Sequence, residues 1–539
     1  MKYYLLHGHS FLVLCIIVLT PFALFLNLDS YQLSFEEPRR GLVAIEMLIR
    51  DNSLVPTTNG VLYYNKPPLY NWVLIVLFQL FGTSEWVVRL PTVLSVIGIS
   101  AVHYFFSKRY IGTNAALLSS LFFITCADIL FYFSYLGEID LFYAFVVYLQ
   151  GVSIFYFYQR RSFWLLFLVS YFFTSVGVLT KGIPSIVFQG ISLLMVFILN
   201  RDLKRVFSFA HVGGFAAFVL ICGGYFYSYS KYYPVEPYLA RLFTETFSRS
   251  AIENSTGTNL SHLLKFPAML IKISAPWCLL FLIPAPYKRL IRDNAFLKYC
   301  LWFVIANISI YWLSPGTRDR YLYMFFPFIL SILAYGLHES RWVKKDLWLR
   351  RSSKGIGTLL VLGLFVLAYF GFKTSAVFSA CFCIILGITL AYLVISQKGN
   401  TQPLLLLVIM LLVGRIGFDL VVLPTKKRDD PYKADARKMA SIVDNNPIYL
   451  VGKPELATDQ VRFGGIEFAT FKREEPTFLS FQTSFYLSKF TGRVVQYTSK
   501  KELDGFYISR EGLAEPNKIE VFYRFKNREN LWFVLFKYK

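Results

Sequence analysis

Apolar runs long enough to cross a hydrocarbon core of ~30 Å as helices recur from residue 10 to about residue 423, with short polar stretches between them. The pattern predicts a polytopic α-helical membrane protein. Over the last ~115 residues the period changes: a helix-like stretch, YKADARKMASIVDNN, is followed by the strand-like runs PIYLVG, RVVQYTS, GFYISR, IEVFYRF and LWFVLFKYK. Two units are expected, a transmembrane domain over 1–423 with a long first loop at 29–85, and a soluble α/β domain over 424–539.

Composition agrees. Of 539 residues, 55% are hydrophobic, 18% aromatic and 16% charged, and the mean hydropathy is +0.49, which is not a soluble composition. The net charge of +22 would suit nucleic acid, but Lys and Arg sit in short clusters between apolar runs. There they orient spans and meet anionic headgroups, so membrane lipids are the expected partners and nucleic acid is not. Cys15, Cys126, Cys222, Cys278, Cys300, Cys381 and Cys383 all lie in or beside apolar runs, which indicates no disulfide framework. Lys2 ahead of an apolar run from Phe11 to Leu28, with no small-residue cleavage site, reads as a retained first span.

One stretch decides the topology. YYNKPPLYNW (63–72) opens an apolar run of about fourteen residues, below the ~17 a span needs, and its leading Asn71 and Trp72 suit the interface. If residues 69–82 do not cross and the N-terminus is inside, about thirteen spans result. The clusters KRY at 108, QRR at 159, NRDLKR at 200, YKRLIRDNAFLK at 287 and ESRWVKKDLWLRRSSK at 339 then face the cytoplasm, as the inward bias of Lys and Arg requires. A crossing at 69–82 gives about fourteen spans and turns all five outward, so it is rejected. The outer side then collects residues 29–85, SYLGEID near 134, TKGIPS near 180, residues 229–265, SPGTRDR at 314 and the C-terminal domain.

The candidate chemistry lies on that side. In YQLSFEEPRRGLVAIEMLIRDNSLVPTTNG (31–60), Leu42, Ile45, Met47, Leu48 and Ile49 fit an amphipathic helix on the bilayer surface, with Glu36 and Glu37 at its N-terminus beside Pro38. Acids and proline are also simply what a helix start favours. Lys66, ahead of Pro67 and Pro68, is either an interfacial anchor or a cation held by a rigid turn where a phosphate arrives. GEIDLFYAF sets Glu138 and Asp140 at the outer end of a run, a spacing compatible with a metal or an acceptor group. Arg249 in RLFTETFSRS, and Arg318, Asp319, Arg320 and Tyr321 in SPGTRDRYLYMFFP, add cations and a phenol. Arginine suits phosphate through forked hydrogen bonds, and loop salt bridges are the plain alternative. Lys181 in LTKGIPS reads as a lysine capping a span.

The chain holds no Walker-type lysine, dinucleotide glycine fingerprint, His-Glu-x-x-His or Asp-x-Asp, which disfavours ATP-driven transport and zinc proteolysis. Ionisable residues gather at one face rather than in paired broken spans at mid-membrane, which favours chemistry on a lipid whose head lies outside. A non-enzymatic transporter or flippase of lipid-linked sugars is the alternative.

EEPRRGLVAIEMLIRDNSLVPTTNGVLYYNKPPLYNW (36–72) resembles the first periplasmic loop of the lipid A aminoarabinose transferases and the related dolichyl-phosphate-mannose protein mannosyltransferases. Their pattern is an acidic pair, Arg, an amphipathic helix, then Y-F-E-K-P-P, and the likeness continues more weakly through LGEID, LTKGIPS and RYLYMFFP. The resemblance implies the C-type glycosyltransferase fold: about thirteen transmembrane helices, surface helices in the first outer loop and a C-terminal α/β periplasmic domain, in the bacterial cytoplasmic (inner) membrane. It implies a membrane glycosyltransferase that moves a sugar, with inversion, from a polyprenyl-phosphate donor of the undecaprenyl-phosphate type. The acceptor would be lipid A, a surface glycan or an exported protein. Carried over by motif, Glu36, Glu37 and Asp140 take catalytic positions, while Lys66, Arg249, Tyr321 and Arg39 contact the donor phosphate. Arg40 stands where Tyr is frequent. Asn65 replaces an acidic, potentially metal-binding Glu, which weakens the case for a divalent metal without excluding one, and no cofactor is assigned.

Overall fold

The computed structural model describes residues 2–247, 256–396, 402–425, 431–452, 461–463, 466–468, 479–501, 503–513, 516–527 and 530–539. Its helices in the first half are α1 (Lys2–Phe25), α2 (Glu37–Ile49), α3 (Leu69–Phe81), α4 (Glu85–Ile124), α5 (Ala127–Phe131), α6 (Ile139–Gln159), α7 (Phe163–Lys181), α8 (Pro184–Leu199), α9 (Phe209–Ser230), α10 (Glu236–Phe247) and α11 (Thr256–Ser274). Then follow α12 (Tyr287–Asp293), α13 (Ala295–Trp312), α14 (Phe326–Glu339), α15 (Lys345–Lys373), α16 (Val377–Ile395), α17 (Pro403–Thr425), α18 (Pro431–Val443) and α19 (Phe481–Thr491). Strands β1 (Thr57–Thr58) and β2 (Val61–Leu62) form a hairpin in the first loop. The C-terminal part adds β3 (Ile448–Val451), β4 (Val461–Phe463), β5 (Ile466–Phe468), β6 (Gln496–Thr498), β7 (Phe506–Arg510), β8 (Ile519–Lys526) and β9 (Trp532–Tyr538).

Among the described residues, eight helices are long and apolar enough to cross a membrane, in α4, α6, α7, α9, α13, α15, α16 and α17, and shorter apolar helices lie in α1, α3, α8 and around α14. Straight, the 40 residues of α4 would measure about 60 Å, twice a hydrocarbon core. The helix is instead broken at Gly112, whose φ of 76° glycine adopts without strain, so the KRY turn sits between two segments.

The helix ends sort by charge. The basic clusters meet at one end: Asn294 Nδ2 donates to Tyr110 O (2.9 Å), Arg161 pairs with Asp202 (3.0 Å) and Ser340 Oγ donates to Pro284 O (2.6 Å). Lys181, Asp140 and Arg320 meet at the other. At 13 residues, α3 is only about 20 Å long, and both of its ends stay at that second end. Near its start Trp72 Nε1 donates to Ser53 O (2.6 Å) and meets the Tyr225 ring edge-on at 5.8 Å; at its far end Phe81 meets Trp86 of α4 at 5.6 Å. The helix lies along the face.

The C-terminal sheet has the order β6-β3-β7-β9-β8, with β3 parallel to β6 and β7, and β9 antiparallel to β7 and β8. Its core is continuous with the first loop: Leu42, Ile45, Tyr70 and Leu74 pack with Phe485, Tyr486 and Leu487 of α19. The α2 helix is therefore covered on one side by the C-terminal domain. A Cβ at Gly41 would stand 2.7 Å from Phe485 Cε2, so α19 crosses α2 over a glycine. Glu85 at the start of α4 pairs with Lys433 of α18 and with Lys489 of α19 (3.6 Å), and accepts from Tyr486 Oη (3.2 Å). Charge and apolar packing together fasten the domain to the loop.

Candidate active site

The acidic pair divides at the first turn of α2. Glu36 keeps 31% side-chain exposure and pairs with Arg39, with Arg40 at 4.0 Å. Glu37 is fully buried. Arg89 grips it through Nε (2.8 Å) and Nη2 (3.1 Å), and the N–H groups of Ser34 (2.8 Å) and Gly137 (2.6 Å) fill its other lone pairs. Arg89 also donates to the carbonyls of Leu28, Tyr31 and Gln32. Glu37, expected at a catalytic position, is thus a carboxylate with its lone pairs occupied and no exposed surface, and it clamps the loop to α4.

Asp140 receives Lys181 Nζ at 2.6 Å and lies 3.0 Å from Arg320 Nε, and Arg320 Nη1 reaches Glu138 at 2.7 Å. Burial pushes the Glu138 carboxyl up to about 7, with neighbouring Asp140 adding to the shift and Arg320 opposing it. Asp140, expected as a catalytic acid, is placed to hold two cations. Lys181, expected as a span cap, projects over the Tyr321 ring at 4.0 Å and the Tyr143 ring at 4.9 Å. The two arginines of the first loop also exchange expectations. Buried Arg40 donates to Tyr63 Oη (2.7 Å), and its charge acts on Asp140 and Glu138. Arg39 turns toward Glu36 and the Phe481 ring of the C-terminal domain, 5.5 Å away.

Lys66 is held by the architecture before it. Buried Glu46 accepts from Thr57 Oγ1 (2.7 Å), Asn59 N (2.6 Å) and Gly60 N (3.2 Å), fixing the β1–β2 hairpin, whose turn has φ of 49° at Asn59 and 73° at Gly60. Burial raises Glu46 to about 7 despite those bonds. Beyond the hairpin, Pro68 caps α3 and Tyr238 Oη donates to Lys66 O (3.0 Å). Lys66 Nζ lies 3.3 Å from Glu245 Oε1, and Arg241 spans Asn65 Oδ1 (2.9 Å) and Glu245 (3.9 Å). A cavity of about 130 Å³ between the start of α8 and the end of α13 is bordered by Lys66, Lys181, Glu245 and Tyr321. Arg249 lies outside the described residues. Arg241 and Glu245 escaped the sequence reading, although their i,i+4 spacing in RLFTE lies just ahead of Arg249 in the sequence.

The donor set does not fit a divalent metal. Asn65 Oδ1 is occupied by a guanidinium, and Glu245, Glu138 and Asp140 each face a Lys or Arg. No group of three or more His, Cys, Asp or Glu gathers among the described residues.

The sequence model of the dolichyl-phosphate-mannose-protein mannosyltransferase family matches residues 65–225. The whole chain is similar in fold to ArnT from Cupriavidus metallidurans, with a TM-score of 0.71 to the crystal structure bound to undecaprenyl phosphate and 0.68 to the apo state. Identity is 17% and 16%, over 97% of this chain and 97% of ArnT in the first case and 98% and 97% in the second. This is the family that the first-loop motif resembles. This chain is also 26% identical over 318 residues to an uncharacterized protein of Aquifex aeolicus, covering 58% of this chain and 69% of that one. It is 23% identical over 312 residues to the undecaprenyl phosphate-alpha-4-amino-4-deoxy-L-arabinose arabinosyl transferase of Erwinia tasmaniensis, covering 56% of this chain and 54% of that protein's length.

The ArnT/PMT-like family is one of membrane glycosyltransferases. Its matched segment opens at Asn65 and takes in Lys66, Asp140 and Lys181; Glu245 and Tyr321 lie outside it and are joined to it by the fold, and Glu36 lies outside it in the first loop. The ArnT fold, with its helical membrane part and small C-terminal sheet, is the one the resemblance implied.

Proposed function

We propose that this protein transfers a sugar from a polyprenyl-phosphate donor to an envelope acceptor at the face formed by the first loop and the C-terminal domain, and that this face is periplasmic. One observation carries the reading: Lys66, Lys181 and Tyr321, from three separate elements, meet at one cavity whose membrane side is walled by Val187 and Ile310. Cationic and phenolic donors suit a phosphate, and the apolar wall suits the isoprenoid behind it. The ArnT structure of the same fold, bound to undecaprenyl phosphate, supports this donor class. The basic clusters at the opposite end support the orientation.

In the reaction, an acceptor oxygen attacks the anomeric carbon from the face away from the phosphate, inverting it. The bond from that carbon to the phosphate oxygen breaks, and the electron pair leaves with polyprenyl phosphate. Lys66, Lys181 and Tyr321 stabilise the charge that develops there. Asp140 and Glu245 hold the lysines in place. Where the acceptor is a hydroxyl, the partly exposed Glu36 takes its proton; a phosphate acceptor needs no strong base.

Purified protein mixed with polyprenyl-phosphate sugar and envelope acceptors transfers the sugar, and Lys66→Ala loses the transfer. No transfer in vitro, combined with full complementation by Lys66→Ala in cells, would sink the proposal. Mass spectrometry of lipid A, surface glycan and exported glycoproteins, with and without the gene, identifies the sugar and which of the three acceptors is used.

A further inference from the structure

The seam between α8 and α13 has a cavity at each of its two ends. One is the cavity beside Lys66. The other, about 260 Å³, lies at the basic end, where α6 joins the seam, and is bordered by Gln159, Asn200, Arg292 and Lys298 around apolar Phe155 and Leu199. The two are separate: between them Asn307 Nδ2 donates to Ser192 Oγ (3.1 Å) across the seam, both side chains buried, and the rings of Phe188 and Tyr311 meet at 5.6 Å.

The second cavity has a mixed lining, in which Arg292, Asp293 and Lys298 stand beside the apolar Phe155, Met195 and Leu199. Lys298 is exposed. Arg292 pairs with its own chain neighbour Asp293 at 2.9 Å, with side-chain exposures of 77% and 54%. Such an ion pair contributes little in water and exchanges readily for a phosphate. Exposed Arg160 and Arg201 follow directly on Gln159 and Asn200 and add positive field. Ile198, next in the chain to the lining residue Leu199, and Trp302, one helical turn from Lys298, present bare apolar surface at 58% and 39% exposure.

We propose that this cavity binds the phosphate of an anionic phospholipid in the leaflet at the basic end, away from the donor's headgroup. Arg292 and Lys298 hold the phosphate, and an acyl chain runs over Ile198 and Trp302. A basic pocket between spans on the Lys/Arg-rich side is the setting in which such headgroups bind. Free phosphate meets the same two cations but gains nothing from the apolar wall, which is why the lipid is favoured. The site is independent of the sugar-transfer reading.

Purified full-length protein in neutral detergent is titrated with phosphatidylglycerol and, separately, phosphatidylcholine, and bound copies are counted by native mass spectrometry. Phosphatidylglycerol should be retained and phosphatidylcholine should not. Arg292→Gln and Lys298→Gln should each weaken retention about fivefold, with the thermal-unfolding midpoint unchanged. Lys344→Gln, in another basic cluster, should leave retention as it was. Equal retention of the two lipids, wild-type retention by the Arg292 and Lys298 variants, or an equal loss in Lys344→Gln overturns the site. Displacement of phosphatidylglycerol by equimolar inorganic phosphate overturns the lipid assignment in favour of the free anion.

Discussion

Glu37 with Arg89, and Asp140 with Lys181 and Arg320, are both buried carboxylate–cation networks at the same end of the helices. The first is closed on all sides: the acid is filled by Arg89 and two backbone N–H groups, and the arginine by the carbonyls of Leu28, Tyr31 and Gln32. In the second, the carboxylates hold cations, one of which borders an apolar-walled cavity together with Lys66 and Tyr321. Charge and burial are alike in the two. What separates a clamp from a candidate binding group is whether the cation has a space in front of it that a ligand can fill.

The strongest way to break that comparison is Arg89→Ala. It leaves Glu37 charged and unpaired in the interior and strips three carbonyls of their donor, so a loss of about 3–5 kcal/mol is expected. Thermal unfolding and folded yield measure it, and a stable Arg89→Ala protein would remove the clamp from the argument. Lys66→Ala should act in the opposite manner: an unchanged unfolding midpoint with sugar transfer down about 100-fold, near 3 kcal/mol of transition-state stabilisation. A third test uses Glu46, which positions the Lys66 loop without touching the cavity. Its carboxyl, raised from 4.5 to about 7, holds its proton in the fold and releases it in the unfolded chain across that interval. Its contribution to stability is therefore full below about 4.5 and is lost as pH rises through 7. Unfolding midpoints should fall between pH 5 and 8 by the equivalent of about 2–3 kcal/mol, and Glu46→Gln should flatten the slope.

Gly41→Ala should cost about 1–3 kcal/mol, because its methyl meets the Phe485 ring, and Phe485→Leu should restore part of the loss in the double variant. Additive losses would mean that α19 does not bear on α2 at this point. The smallest effect is expected from Tyr321→Phe. One hydroxyl is lost, and transfer should fall about fivefold with stability unchanged, read as a ratio of kcat/KM.

The spans, the strands β3, β7, β8 and β9, and the face-lying α3 were legible because each rests on a local signal: length, period, or the charge of flanking loops. α19 was not. In FQTSFYLSKFT the Thr483, Ser484 and Ser488 side chains are buried, so polarity did not mark a wet face and no amphipathic stripe could be read. At the site, Lys66 was legible because prolines and a motif frame it. Lys181 does end α7 as expected, but its pairing was not legible, since its partner Asp140 lies 41 residues away in the chain and nothing near it announces the pair.

By itself, the sequence determined that this is a multi-pass helical membrane protein with basic residues at one end, ionisable groups at the other, and a first loop of recognisable pattern. Only the tertiary structure decided which member of each adjacent pair is buried. Successive residues on a helix point about 100° apart, so Glu36 and Glu37, or Arg39 and Arg40, are interchangeable as letters but enter different surroundings. Glu37 meets Arg89 and Arg40 meets Tyr63, while Glu36 and Arg39 are left near solvent and the C-terminal domain.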